Sequence, residues 1–127
     1  MMTFIAVCAA GGLGALARSA AGPAIDGRTT GRFHYGIFVI NVSGALALGF
    51  ITGLAGMRVG GGAERFDVAT IIGTGFLGAF TTFSSEEWQT LATYKSGRWL
   101  AVRDVGMTLV VSMAAAGFGL WLGTQLK

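Results

Sequence analysis

Residues 73–87 read GTGFLGAFTTFSSEE and are the most unusual part of an otherwise apolar chain. The segment begins like a membrane span, but it contains three glycines, hydroxyl side chains at positions 81, 82, 84 and 85, and two adjacent acids at its end. A backbone or hydroxyl group left unpaired in hydrocarbon costs several kcal/mol. Such a segment is stable only where protein or a water-filled cavity satisfies its polar groups. We therefore expect the functional site to lie here.

The same segment predicts a helix that breaks near the middle of the bilayer. Glycine weakens a helix, and the hydroxyls of threonine and serine offer the backbone alternative hydrogen bonds. A break exposes N–H groups on one half-helix, which attract anions, and C=O groups on the other, which attract cations. Ion binding at the break is the chemistry that this pattern favours.

The composition is that of an integral membrane protein: 53% of the 127 residues are hydrophobic, 12% are charged, and the mean hydropathy is +0.66. Apolar runs of the ~20 residues needed to cross ~30 Å of hydrocarbon occur four times. They lie at about residues 3–21, 33–55, 68–94 and 100–122. We expect residues 1–127 to form a single four-helix transmembrane domain. Four packed helices enclose no pore, so a transport path would require an oligomer interface.

Basic residues flank the expected spans, and the net charge is +3. Membrane orientation and lipid headgroups explain this pattern better than nucleic acid does. Six cations fall on one side of the four spans and three on the other: Arg18, Arg28, Arg32, Lys95, Arg98 and Arg103 against Arg58, Arg65 and Lys127. The positive-inside rule then places the first group in the cytoplasm and both termini outside.

Two polar residues interrupt the first two spans. Arg18 follows the glycine-rich run 11–17 and is expected at the end of the first helix, either as an interfacial cation or as a fixed charge in an anion vestibule. Asn41 lies inside the second span, where its amide either bonds a neighbouring helix or donates to an anion on its path. The fourth span indicates packing alone.

The sequence contains no Ser/His/Asp set, no group of His, Cys and Asp with the spacing of metal ligands, and no phosphate-binding loop. Together with the apolar spans, this predicts a protein that transports rather than catalyses.

Three motifs resemble those of the small CrcB (Fluc) fluoride channels, in order and over nearly the whole chain. They are the glycine run that ends in Arg18, the second-span pattern of Val39, Asn41 and Gly44, and the stretch 75–84, GFLGAFTTFS. The resemblance implies an all-α membrane protein that forms an antiparallel, dual-topology dimer in the cell membrane. Two narrow pores at its interface would pass fluoride passively out of the cell and reduce its toxicity.

The resemblance also implies roles for individual residues. The pore would be lined by Asn41, Thr82, Phe83, Ser84 and Ser85, with Asn41 presenting its amide and Phe83 as the first of two pore phenylalanines.

The resemblance further implies a structural sodium ion at the centre of the dimer. Its ligands would be the backbone carbonyls of Gly78 and Thr81, at the break in the third helix.

One position departs from the family pattern, because the second pore phenylalanine would fall at position 86, which is Glu86 here. A carboxylate about 4 Å from fluoride, at an effective dielectric of ~20, would oppose conduction by ~4 kcal/mol. Two explanations stay open. Glu86 is either protonated or paired with a cation such as Arg18, or a related subunit supplies an intact pore in a heterodimer.

Two rival functions fit parts of the pattern. A small multidrug exporter also has four spans and dual topology, but it requires an acid embedded in the first span, where residues 3–21 contain none. A non-conducting subunit is compatible with the lost phenylalanine. Rescue of fluoride-hypersensitive cells would distinguish the channel from both.

Overall fold

The computed structural model describes residues 2–29, 33–55, 68–82, 94 and 97–126. Regular structure within these residues is helical: α1 (Met2–Asp26), α2 (Tyr35–Ala55), α3 (Val68–Phe80) and α4 (Arg98–Gln125). Three of them, α1, α2 and α4, are long and apolar enough to cross a membrane, whereas α3 is a shorter apolar helix. The all-α class is confirmed, and each helix falls on one of the four predicted spans.

The first helix is longer than predicted. The prediction that it ends near Arg18 is wrong, because α1 continues to Asp26 and encloses the partly buried Arg18. The alanines that follow Arg18 favour a helix, and Pro23 is accommodated within it without ending it. The chain leaves the helix only at Gly27, whose N–H donates to the Pro23 carbonyl at 2.9 Å.

A second of the six cations on that side also lies inside a helix. Arg103 is within α4, and its Nη2 lies 2.7 Å from Oδ1 of the neighbouring Asp104. Without Arg18 and Arg103, the two sides of the predicted topology carry four and three cations. Charge therefore gives this chain only a weak preference for one orientation.

The end of α1 is joined to the start of α2 by a side-chain cap. Asp26 Oδ1 accepts a hydrogen bond from the Gly36 N–H at 2.8 Å. The bond satisfies one of the N–H groups that a helix start leaves unpaired, and it places negative charge at the positive end of α2. A Cβ at Gly36 would lie 2.6 Å from the Gly22 carbonyl oxygen, so only glycine permits this approach. Consecutive helices α1 and α2 are therefore antiparallel.

Glycines bring α2 and α4 into backbone contact. A Cβ at Gly49 would overlap the Ala116 carbonyl, and one at Gly119 would overlap the Leu46 carbonyl. One helical turn further along both helices, Gly53 and Gly123 repeat the contact, so α2 and α4 run parallel. Small residues spaced by four lie on one helix face and allow such close packing in membranes.

The third helix is not a regular α-helix. Ile71–Leu77 form a π-helix between single α-turns at Val68–Thr70 and Gly78–Phe80. The Gly78 N–H donates to the Gly73 carbonyl, five residues earlier. This helix packs along α1, where a Cβ at Gly75 would lie 2.9 Å from the Val7 carbonyl oxygen.

The break predicted for the third span is present. The helix ends at Phe80, and Thr81 is extended, with φ −75° and ψ 153°. Thr81 contacts Gly44 of α2, so the break lies within the packed helices.

Gly119→Ala is expected to destabilise the protein relative to Gly117→Ala. Both substitutions gain the same helix propensity, about 1 kcal/mol, but only at Gly119 does the new Cβ overlap a backbone carbonyl, that of Leu46. At Gly117, no atom of the described residues lies within 4 Å of it. Overpacking costs about 1–3 kcal/mol, so the Tm of the purified Gly119→Ala variant should be the lower one. Equal Tm values would contradict the close contact of α2 with α4.

Candidate functional site

The polar centre of the chain lies where the end of α3 meets α2. The Asn41 side chain pairs with the Thr82 backbone at two points: Oδ1 accepts the Thr82 N–H at 2.9 Å, and Nδ2 donates to the Thr82 carbonyl at 3.1 Å. The pairing fixes the orientation of the amide, because the N–H must meet its oxygen and the C=O its nitrogen. Both residues are buried, with 8% and 7% of their surface exposed. Asn41 thus holds the broken end of α3 against α2.

Thr81 marks the turn that precedes this pairing. Its N–H and its hydroxyl both donate to the Leu77 carbonyl, at 3.0 and 3.1 Å. Its methyl group occupies the space where a Cβ at Gly44 would lie. Glycine at position 44 therefore lets the end of α3 approach α2 closely enough for the Asn41 amide to reach Thr82.

The pairing also redirects a hydrogen bond of the last turn of α3. In a continuing α-helix, the Thr82 N–H would donate to the Gly78 carbonyl, four residues earlier. Here that N–H is bonded to Asn41. Gly78 itself is exposed at the surface of the single chain. It lies at the C-terminal end of α3, which carries partial negative charge.

An open cavity of about 360 Å³ adjoins the Asn41–Thr82 pair. Its polar lining comes from α2, the end of α3 and α4: Asn41, Thr81, Thr82, Thr108 and Ser112. Its apolar walls are Ala45, Leu48, Val105 and Leu109. None of these described lining residues is ionisable, so the cavity is uncharged; most of its accessible surface is apolar, with a few polar groups.

Two residues of α4 contribute to the cavity although the sequence indicated only packing there. Thr108 is 5% exposed, and its hydroxyl donates to the Asp104 carbonyl at 2.9 Å. Ser112, four residues further on, has a buried Oγ with no protein hydrogen-bond partner in the described part of the chain. The spacing of four was the available signal, because it places both side chains on one helix face. The sequence did not show that this face meets Asn41.

The hydroxyls of the cavity differ in what they offer a ligand. Thr81 and Thr108 donate to carbonyls of their own helices, whereas Ser112 makes no such bond to the described residues. A buried polar group without a partner costs about 1–3 kcal/mol. A hydrogen bond from the Ser112 hydroxyl to an anion would remove that cost. Of the Thr81, Thr108 and Ser112 hydroxyls, that of Ser112 is thus the one with no bond to the described residues, and its Oγ is itself buried.

The structure brings together three of the predicted site residues, Asn41, Thr81 and Thr82. Arg18 lies on α1 and is not among the described residues that line the cavity. Four predicted positions lie outside the described residues, and their roles stay predictions: Phe83, Ser84, Ser85 and Glu86.

These features define a helical protein with three helices long and apolar enough to span a membrane and an uncharged cavity at a helix break. Residues 5–124 match the model of the family described as CrcB-like protein, Camphor Resistance (CrcB). The chain belongs to this family, which confirms the resemblance seen in its sequence.

Similar proteins cover nearly the whole chain. A protein of Leifsonia xyli named fluoride-specific ion channel FluC 1 is 39% identical over 96% of this chain and 87% of its own length. FluC 1 of Symbiobacterium thermophilum is 39% identical over 98% of this chain and 97% of its own. FluC 2 of the same organism is 38% identical, with 94% and 93% covered. All three names are those of ion channels, in agreement with the prediction that the chain is not an enzyme.

Asn41→Leu is expected to destabilise the protein more than Ser112→Ala. The first substitution removes both hydrogen bonds to Thr82, at about 1–3 kcal/mol for each buried group that loses its partner. The second removes a hydroxyl that has no described protein partner, so the free energy of unfolding should stay the same or rise. Thermal unfolding of the purified variants checks this. A lower Tm for Ser112→Ala than for Asn41→Leu would contradict the bonding pattern.

Proposed function

We propose that this chain is the subunit of a fluoride-selective channel that carries fluoride passively out of the cell, across the cell membrane, and so reduces its toxicity. Membership of the CrcB family and the channel names of the relatives support the proposal. The observation in this chain that carries it is the uncharged cavity beside the helix break, whose mostly apolar surface includes the Asn41 amide and the Ser112 hydroxyl among its few polar groups.

The few polar groups of the cavity are neutral donors of the kind that a small, strongly hydrated anion requires. Such an ion gives up its water only where several hydrogen-bond donors replace it. The Ser112 hydroxyl and the Asn41 amide are neutral donors, so they can replace water without the strong attraction of a full positive charge. Chloride would accept the same groups, so the proposed selectivity for fluoride is carried over from the relatives.

The proposed conducting unit is an antiparallel dimer with two pores at its interface. The cavity opens to the outside of the single chain, and the glycine contacts close the space between α2 and α4. A second copy would then supply the missing wall. The near balance of four cations against three suits a chain that inserts in both orientations.

A sodium ion at the centre of that dimer is proposed to bind the backbone carbonyls of Gly78 and Thr81. The donor set fits, because carbonyl oxygens are hard ligands and suit cations of this kind. Because the Thr82 N–H donates to Asn41, it does not donate to the Gly78 carbonyl as it would in a continuing α-helix. The ion would neutralise the partial negative charge at the two helix ends.

A heterodimer is the second candidate for the assembly. Two observations favour it: Glu86 stands where the family has a pore phenylalanine, and Symbiobacterium thermophilum has both a FluC 1 and a FluC 2 that are similar to this chain. In this arrangement a related subunit would contribute the intact pore.

A multidrug exporter has less support. Asp26 is the single acid in the sequence of α1, and it lies at the last residue of that helix. Its carboxylate accepts the Gly36 N–H, so it has a structural partner rather than the embedded, exchangeable position that proton coupling requires.

Liposomes that contain only this purified chain are expected to release fluoride quickly, with little chloride leak, as read by ion-selective electrodes. Ser112→Ala should slow fluoride release about tenfold, because a hydrogen bond to an anion contributes about 1.5–3 kcal/mol. Gly117→Ala serves as the matched control for handling and reconstitution. Release that is unchanged in Ser112→Ala would remove Ser112 from the anion path. No release from well-folded parent protein would contradict a self-sufficient channel.

Expression of the chain alone in fluoride-hypersensitive cells that lack relatives distinguishes the two assemblies. The homodimer predicts full rescue, because one gene then supplies both pores. The heterodimer predicts no rescue by the parent chain and restored growth with Glu86→Phe, which replaces the carboxylate by the family's aromatic residue. Full rescue by the parent chain would exclude the need for a partner.

A further inference from the structure

We propose that Asn41 is a positioning residue for the cation site: by holding the Thr82 N–H, it keeps the Gly78 carbonyl accessible to the ion. This inference rests on the proposed sodium site. It goes beyond that site by assigning control of cation affinity to a side chain on a different helix. It also gives Asn41 a role other than that of a pore amide.

The geometry of the pair supports this role. The Thr82 N–H belongs to the peptide group before Thr82, and the Thr82 carbonyl to the peptide group after it. Asn41 bonds both, at 2.9 and 3.1 Å. Two bonds from one planar amide fix the orientation of both peptide groups. The chain is thereby held in a conformation that the α-helix does not allow.

Burial makes this arrangement strong. Asn41 and Thr82 expose 8% and 7% of their surfaces, and hydrogen bonds in such a low-dielectric setting are stronger than those in water. The Thr81 methyl group against Gly44 holds the two helices at the required separation. Gly78, in contrast, is exposed. The pair is therefore enclosed, while the carbonyl that it affects lies on a residue open to the surroundings.

The competing arrangement is a helix that continues for one more residue. Without a partner on α2, the Thr82 N–H would find its nearest acceptor in the Gly78 carbonyl, as in any α-helix. That carbonyl would then have a bound donor that points at the same oxygen lone pairs as a cation. Cation affinity should fall when Asn41 is removed, even though Asn41 is not itself a ligand.

The test measures the dependence of Tm on sodium concentration for the purified full-length protein. N-methylglucamine replaces sodium at constant ionic strength, and fluoride is absent. A ligand that binds the folded state raises Tm by mass action, so the parent chain should be stabilised by sodium. In Asn41→Leu, the apparent sodium dissociation constant should rise about tenfold, the equivalent of one hydrogen bond. Gly117→Ala, remote from the pair, should respond like the parent.

Asn41→Ala/Thr82→Pro provides the second variant, because proline has no N–H to return to Gly78, and alanine leaves room for the proline ring where Asn41 Oδ1 lies 2.9 Å from the Thr82 nitrogen. The extended Thr81, with ψ 153°, already has the conformation that a residue before proline prefers. The double variant should keep the sodium response that Asn41→Leu loses.

Three results would overturn the proposal: no sodium response in the parent chain, an undiminished response in Asn41→Leu, or a folded Asn41→Ala/Thr82→Pro that has lost it. If Asn41→Leu fails to fold, the double variant alone decides. The channel proposal is tested separately, by fluoride release from liposomes. The sodium response is measured without fluoride and without a membrane, so the two proposals can fail independently.

Discussion

The pairing of the Asn41 amide with the Thr82 backbone sets the geometry of the whole polar region. A chain that leaves the helix inside an apolar bundle must find partners for its N–H and C=O groups. An amide side chain offers one acceptor and one donor group on the same plane, as a neighbouring strand would. A hydroxyl is too small to bond both groups of Thr82, and an ionised carboxylate cannot donate to the carbonyl. The requirement for asparagine at this position is therefore a matter of bonding capacity.

The glycines determine where the protein is closed and where it is open. Gly49, Gly53, Gly119 and Gly123 bring α2 and α4 so close that no side chain fits between them. Nearer the start of both helices, the lining changes to Asn41, Ala45, Thr108 and Ser112, and a cavity appears. One pair of parallel helices thus provides both a rigid contact and an uncharged recess with a few polar groups. The recess is positioned by the contact.

Much of this fold follows from the sequence because the bilayer imposes simple constraints. Span length identified the helices, and the glycines with the hydroxyls of residues 81–85 indicated the break. Asn41 stood out as a polar group in an apolar helix. The end of α1 was misjudged because Arg18 resembled an interfacial residue, whereas the alanines beyond it continue the helix to Asp26.

Other features depend on tertiary contacts that no local pattern encodes. Thr108 and Ser112 share a helix face, but only the glycine contacts determine that this face meets α2. The two hydrogen bonds between Asn41 and Thr82 join residues 41 positions apart. The π-helix in α3 likewise reflects its packing on α1, where Gly75 and Gly14 admit the neighbouring backbone.

The π-helix of Ile71–Leu77 gives α3 an unusual response to changes in chain length. Such segments carry wider turns than the α-helix and are common at functional sites. The wider turn takes up about one residue more than an α-turn does. Deleting one residue within the segment would therefore allow ordinary α-turns to form, and Thr81 and Thr82 would keep nearly the same direction about the helix axis. The change would fall within the segment itself, on the contact of Gly75 with Val7 of α1.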